Sequence, residues 1–418
     1  MRAGGWLTHR DIAAARASWQ HARDVADRLP DADTGRAAMR IAPRTLLCTS
    51  AWLAGGTMAD TGFDELRGLA SAAGDKVSLA MATAGWVSAL TVHARFREAS
   101  ELGSELASLL ESINDPTLTL GLLYTSLAAK YEVGEMTEAE QLAQRMIDLA
   151  NGDANMGNLI IGSPLVSAIM LRGCARCFLG NPGWRADVDQ ATTMVRAFDP
   201  TLRAVVLLFK HSLFATGAWL PDAPALNETA ELLELAERSG DNLTLACARY
   251  VRGLTLLAYH GPPHEDAFAL LAAAREAALQ ERFTMVVATY VDLCVAEEKA
   301  RNGDLDGAID LSRAAVEVEY ASGDLLVRAA GVSILVSALL RRGDPTDLLE
   351  AQAAIDRLAA VPTEPGFIMH DIWLLRMRAW EAEARGDDAS YRDYRDRYRE
   401  MANSLGFEGH IARAEEMD

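Results

Sequence analysis

Residues Glu297 to Asp324 read EEKARNGDLDGAIDLSRAAVEVEYASGD. The stretch is the end of one helix, a tight turn at Asn302-Gly303-Asp304, a second helix, and a stop at Ser322-Gly323-Asp324. Gly303 can take the left-handed backbone that ends a helix, and Asp304 stands where a side-chain oxygen caps the next one. Ala308, just inside the second helix, is small enough for the paired helices to approach closely.

Two interleaved series of such marks run through the chain. Turns within a pair fall at Gly55, residues 93–97, Gly134, Gly180, Gly217, Gly261, Gly303, Gly343 and Gly386. Breaks between pairs fall at Gly74-Asp75, Asn114-Asp115-Pro116, Gly152-Asp153, Asp199-Pro200, Gly240-Asp241, Gln280-Glu281, Gly323-Asp324, Pro362 to Pro365, and Leu405-Gly406. Both step by about 40 residues, the spacing of helix pairs that stack into a solenoid. First helices are expected at roughly 37–54, 76–93, 116–133, 162–179, 202–217, 242–260, 282–301, 325–342 and 366–385, each followed by a second helix, the last at 388–404.

Local signals agree. Ser163-Pro164, Asp115-Pro116, Asp199-Pro200 and Asp344-Pro345 each place a capping residue before a proline at the first helical position. Thr137 with Glu140 has the spacing of a capping box. No run of alternating β-branched residues competes, so no sheet is expected.

The repeat resembles the tetratricopeptide repeat in a stretched form. Small residues precede the turn glycine at Gly173, Ala296 and Ala379, and alanines follow it at Ala139 and Ala308. Arg185, Leu348 and Tyr391 depart from that alanine. The resemblance implies an all-α, right-handed α-solenoid of about nine helix-turn-helix repeats. It divides the chain into an N-terminal helix completing a partial repeat (1–34), the repeat array (35–404) and a C-terminal tail (405–418). Residues 9–29 read as a second helix without a first, so a preceding domain or a docked partner is expected there. Tyr391, Tyr394 and Tyr398, inward-facing at helical spacing, read as the C-terminal cap.

A net charge of −19 and a pI near 4.9 exclude a chain that binds nucleic acid or anionic membrane over its whole surface. Five cysteines without framework spacing fit a reduced, cytoplasmic protein. The N-terminus MRAGGWLTHR has no apolar core of a signal peptide. The most apolar run, 159–180, is broken by Gly162, Pro164, Arg172 and Arg176, too often for a membrane span.

The tail NSLGFEGHIARAEEM, Asn403 to Met417, after an acidic Ala-, Leu- and Arg-rich array, resembles the C-terminal end of actinobacterial signalling regulators. That family joins a class III nucleotidyl cyclase to a STAND-type ATPase and a tetratricopeptide-like array, with LuxR- and MalT-like regulators as relatives. The resemblance implies a sensor or autoinhibitory arm, with a cyclase or ATPase region as one partner.

No Gly-Lys-Ser/Thr phosphate loop, dinucleotide fingerprint or Gly-x-Ser-x-Gly elbow occurs, so neither an enzyme nor a cofactor is expected. Cys174-x-x-Cys177 lacks a second pair and reads as helix packing. His260 and His264, with Glu265 and Asp266, read as a loop followed by first-turn acids rather than a metal site. Trp19, Trp52, Trp86, Trp184, Trp219, Trp373 and Trp380 read as packing between repeats, with Trp219 the most exposed.

One cationic set stands out. Arg172 and Arg176, then Arg203, Lys210 and His211, then Arg249 and Arg252 lie on consecutive middle first helices. In a tetratricopeptide array these helices line the concave groove, so the set is expected to form an anion-receptive patch for carboxylates, phosphates or an acidic peptide. The alternative is pairing with neighbouring Asp and Glu. Taken together, the sequence describes a non-catalytic regulatory scaffold that holds a protein or peptide partner in its groove, and that is able to self-associate. A small-ligand sensor of a transcriptional regulator, requiring a closed pocket rather than an open groove, is the alternative.

Overall fold

The computed structural model describes residues 11–55, 57–259 and 266–417; His260, His264 and Glu265 therefore lie outside the described residues. Among the described residues there are α-helices, short 3₁₀ turns and no strand. The opening helix α1 (Ile12–Ala26) precedes the array. First helices are α2 (Arg36–Thr49, continued by the short α3, Ala51–Ala54), α5 (Lys76–Val92), α7 (Pro116–Val133), α9 (Pro164–Leu179) and α11 (Pro200–Ala215). They continue as α13 (Asn242–Ala258), α15 (Val286–Arg301), α17 (Arg328–Arg342) and α19 (Ile368–Ala384). Second helices alternate with them: α4 (Phe63–Ala73), α6 (Phe96–Ile113), α8 (Met136–Ala150), α10 (Trp184–Met194) and α12 (Ala223–Ser239). The series ends with α14 (Asp266–Leu279), α16 (Leu305–Ser322), α18 (Asp347–Ala359) and α20 (Asp388–Leu405), followed by α21 (Glu408–Glu415). The described residues form an α-solenoid, helix pairs that pack one after another along the chain.

Composition decides which helix goes inside. In α7, 13 of 18 residues are buried, because the helix touches α5, α6, α8 and α9 at once. A helix surrounded in this way must be apolar on every side. Its neighbour α6 buries only one stripe, with Phe96, Ala99, Gly103, Leu106 and Leu110 at helical spacing. Each fully buried leucine of these layers contributes roughly 2 kcal/mol. First helices therefore form the spine, α2 on α5, α5 on α7, α7 on α9, α9 on α11 and α11 on α13, resuming with α15 on α17 and α17 on α19. Starts follow local chemistry: Asp115 accepts from the Thr117 and Leu118 amides, and Asp199 from Leu202, each ahead of its proline.

Two local expectations are corrected. The capping box at Thr137 and Glu140 does not form: α8 starts at Met136, the Thr137 amide donates to Glu364, and Glu140 is taken by Arg176 and Asn181. Asp344-Pro345 does not open α18, which begins at Asp347, because the Asp347 carboxylate is clamped by Arg342 and by the Asp344 amide. Within the tail, Glu408–Glu415 is helical and packs on α20. Tyr398 is fully buried, while Tyr391 and Tyr394 are half-buried.

The larger correction concerns the groove. Turns of the superhelix touch one another. The Met285 amide donates to the Val92 carbonyl at 2.8 Å, and the Thr137 amide to Glu364 at 2.9 Å. Arg185 reaches the Gly406 carbonyl at 2.8 Å, and the Phe178 and Phe367 rings stack with centroids 5.8 Å apart. The side-chain bonds across this seam join residues 188 to 227 apart in sequence. With roughly 40 residues per pair, one superhelical turn takes about five pairs, and the next turn seats directly on it. Gly134, at φ +86°, shows how closely: a Cβ there would stand 2.6 Å from the Leu325 side chain.

The seam also buries charge. Asp324 is fully buried, accepting from the Tyr290 hydroxyl and the Leu326 amide, beside Arg328 and within electrostatic reach of Glu132. Burial pushes its carboxyl up to about 6 and drives Glu132 and Glu319 well above the usual carboxylate range.

Candidate functional site

Residues of α11, α13, α15, α17 and α19, together with α21, line a partly open cavity of about 540 Å³. That volume suits a compact organic ligand. Tyr250, Leu254, Tyr290, Val327 and Ile334 make its walls apolar and aromatic. Glu297 and Glu416 are exposed at its rim, and Arg301 there is paired with Glu298.

Two arginines reach this cavity from different elements. Arg376 comes from α19 and lies over Trp380 at 4.2 Å and Trp373 at 5.7 Å. Arg413 comes from α21 and shares Trp373, at 5.2 Å. Arg376 Nε and Arg413 Nη1 are buried with no hydrogen-bond partner, and neither guanidinium has an ion pair among the described residues. Burial, and then the neighbouring Arg413 charge, pulls Arg376 down to about 10. Docking of α21 creates the pair. The His410 and Glu408 amides donate to the Gly217 and Ala218 carbonyls, and His410 Nε2 meets the Thr216 carbonyl at 2.9 Å.

The cationic set expected from sequence goes elsewhere. Arg172 and Arg176 do share a face, but it is turned toward the second helices: Arg172 holds Asp187 through two bonds and Gln144 through a third. Arg176 holds Glu140 and Asp187. Arg203 pairs with Glu231 and Lys210 with Glu228, both carboxylates on α12. His211 is fully buried against Thr255, and Arg252 donates to the Leu226 carbonyl and the Thr229 hydroxyl. Arg249 is half-buried and has no ion pair among the described residues. Arg172, Arg176, Arg203 and Lys210 thus take the alternative, pairing with carboxylates of α8, α10 and α12, while Arg249 and Arg252 have no ion pair among the described residues.

Lys210 and the half-buried Trp219 line a second, smaller cavity of about 270 Å³. Cys174 and Cys177 are buried free thiols, and burial raises both. Among the described residues no three His, Cys, Asp or Glu side chains converge as metal ligands, and no helix is long and apolar enough to cross a membrane.

Sequence reasoning passed over Arg376 and Arg413. A signal existed in Trp373, Arg376 and Trp380, which fall on one helix face and place a cation between two indoles. Nothing local brings Arg413 to them.

No family model and no curated protein matches the chain. Among solved structures it is similar to a Rap protein complexed with competence and sporulation factor, at 12% identity and TM-score 0.42, covering 95% of this chain and 94% of that one. It is also similar to yeast Tom70, at 14% identity and TM-score 0.40, covering 97% and 96% of the two chains.

Proposed function

We propose that this chain is a binding and regulatory scaffold that holds an occupant inside its superhelix and reports the occupied state to a partner protein. One observation carries the reading: the cavity of about 540 Å³ lies where two superhelical turns and α21 meet, so whatever fills it touches the elements that hold the turns together. An occupant that binds the closed arrangement better than a loosened one shifts that equilibrium by its difference in affinity. The turns are the bistable element, and the outer faces of the second helices are the surface a partner reads.

A volume of about 540 Å³ suits a compact occupant, a small ligand or the end of a peptide, better than a long extended segment. The resemblance of the tail to sensor arms of cyclase and ATPase regulators supports a signalling role in the cytoplasm, with such an ATPase or cyclase region as the partner.

Native mass spectrometry of the full chain purified from its own host tests this, with Ala330→Trp filling the cavity from α17. The expected result is an added mass on the wild type that Ala330→Trp loses while keeping its helicity. Identical spectra and identical partner capture for both proteins would overturn the reading.

A further inference from the structure

We infer that Arg376 and Arg413 form an anion subsite at the inner end of this cavity, and that its ligand is a small organic carboxylate with an apolar or aromatic body. The inference rests on the binding role proposed above and names the chemistry of the occupant.

Two half-buried like charges on one indole, with no ion-paired carboxylate, repel each other, and each leaves one buried guanidinium nitrogen without a hydrogen bond. Other buried cations of the chain have polar partners: Arg16, Arg252 and Arg328 donate to backbone carbonyls or hydroxyls. Arg44, Arg172, Arg176 and Lys210 are each held by carboxylates within the fold. The acids nearest Arg376 and Arg413, Glu297 and Glu416, stand exposed at the rim and form no ion pair with either. The arginines reach Trp373 from two helices and lie close enough for the Arg413 charge to act on Arg376, so an anion held there would be attracted by both, and a carboxylate is a group that guanidinium favours. Beyond them Tyr250, Leu254, Tyr290, Val327 and Ile334 offer an apolar ligand body contact, and Arg301 at the rim is already paired with Glu298. Charge selects the head of the ligand, and the aromatic and aliphatic walls select its tail.

Isothermal titration calorimetry on the full chain tests this with decanoate and 4-phenylbutyrate, each against its own amide, and with inorganic phosphate. At least one acid is expected to bind at least tenfold more tightly than its amide and than phosphate. Arg376→Gln and Arg413→Gln should each weaken that acid at least tenfold, and Arg376→Lys, which keeps the charge, should recover part of the loss. Arg385→Gln, an exposed position at the end of α19, should leave it unchanged. The inference is overturned if neither acid outranks its amide, or if both Gln variants bind like the wild type at unchanged melting temperature. Should Ala330→Trp still expel the native occupant in that case, the cavity remains the binding site and only the carboxylate assignment falls.

Discussion

His410 on α21 contacts the Thr216 carbonyl through Nε2 at 2.9 Å, while its Nδ1 faces the Tyr398 hydroxyl at 2.9 Å. The two bonds fix a neutral ring that donates from Nε2 and accepts at Nδ1. Burial first, then the charges of Arg413 and Arg376, hold its pKa well below the ordinary histidine value. A lowered histidine contributes stability that is present above its unfolded pKa of about 6.5 and is lost as pH falls below that value. His410→Ala should cost about 2–3 kcal/mol, since it leaves the Thr216 carbonyl and the Tyr398 hydroxyl without partners. Hydrogen exchange at the Glu408 and His410 amides should then accelerate before the rest of the array. Uniform acceleration along the chain would show that α21 is not a separate closing element.

Gly134 and Gly303 both end first helices near φ +86° to +89°, but only Gly134 faces another turn. Nothing stands within 4 Å of a Cβ at Gly303, so Gly303→Ala should cost only the left-handed backbone penalty, about 1 kcal/mol. Gly134→Ala carries the same penalty plus the collision with Leu325, and should cost about 2–4 kcal/mol. Equal losses in melting temperature for the two variants would mean that the seam at Leu325 yields without resistance.

These two glycines also mark how far the sequence could be read. Helix ends and starts at Gly303, Asp115-Pro116 and Asp199-Pro200 depend on neighbours a few residues away, so period and register were legible. Thr137 was misread because its amide goes to Glu364, on the next superhelical turn. Arg172 and Arg176 were rightly placed on one face, but spacing alone could not say which layer that face meets, and Asp187 decides it. The cavity was out of reach altogether. Arg376 and Arg413 sit about one repeat apart, on α19 and α21, and meet only because α21 folds back on α20 and docks on the Thr216–Ala218 turn, an arrangement written in no single motif.

Asp324 gives the seam a pH dependence of opposite sign to that of His410. Its carboxyl is raised to about 6, chiefly by burial, so between its unfolded value near 3.8 and about 6 the folded state binds the extra proton. Stability from this group is therefore lost as pH rises through that window, by on the order of 3 kcal/mol once the carboxyl is ionised. Glu132 and Glu319, also raised, act in the same direction, while the Arg328 charge holds Asp324 lower than burial alone would leave it. Asp324→Asn keeps an acceptor for the Leu326 amide, turns its NH₂ toward the Tyr290 hydroxyl oxygen as a donor, and removes the titration. Relative to wild type the variant should gain in melting temperature from pH 5 to pH 8. A difference that stays flat across that range would show that Asp324 does not titrate in it.

The last expectation separates the two readings of the arginines on α9. Asp187 is buried, with 7% of its side chain exposed, and it is neutralised by both Arg172 and Arg176. Reversing Arg172 would set a third carboxylate beside Asp187 and Glu140, with Arg176 alone to balance them. Breaking a buried pair in this way costs about 3–5 kcal/mol, because a buried charge is left without its partner. Arg172→Glu should therefore lower the melting temperature strongly. Arg249→Glu, at a half-buried position with no described ion pair, should stay within about 1 kcal/mol of wild type. Thermal unfolding followed by circular dichroism decides between the readings. If Arg172→Glu melts like Arg249→Glu and loses only partner capture, the arginines of α9 face the partner after all, and the bonds to Asp187 contribute little to the fold.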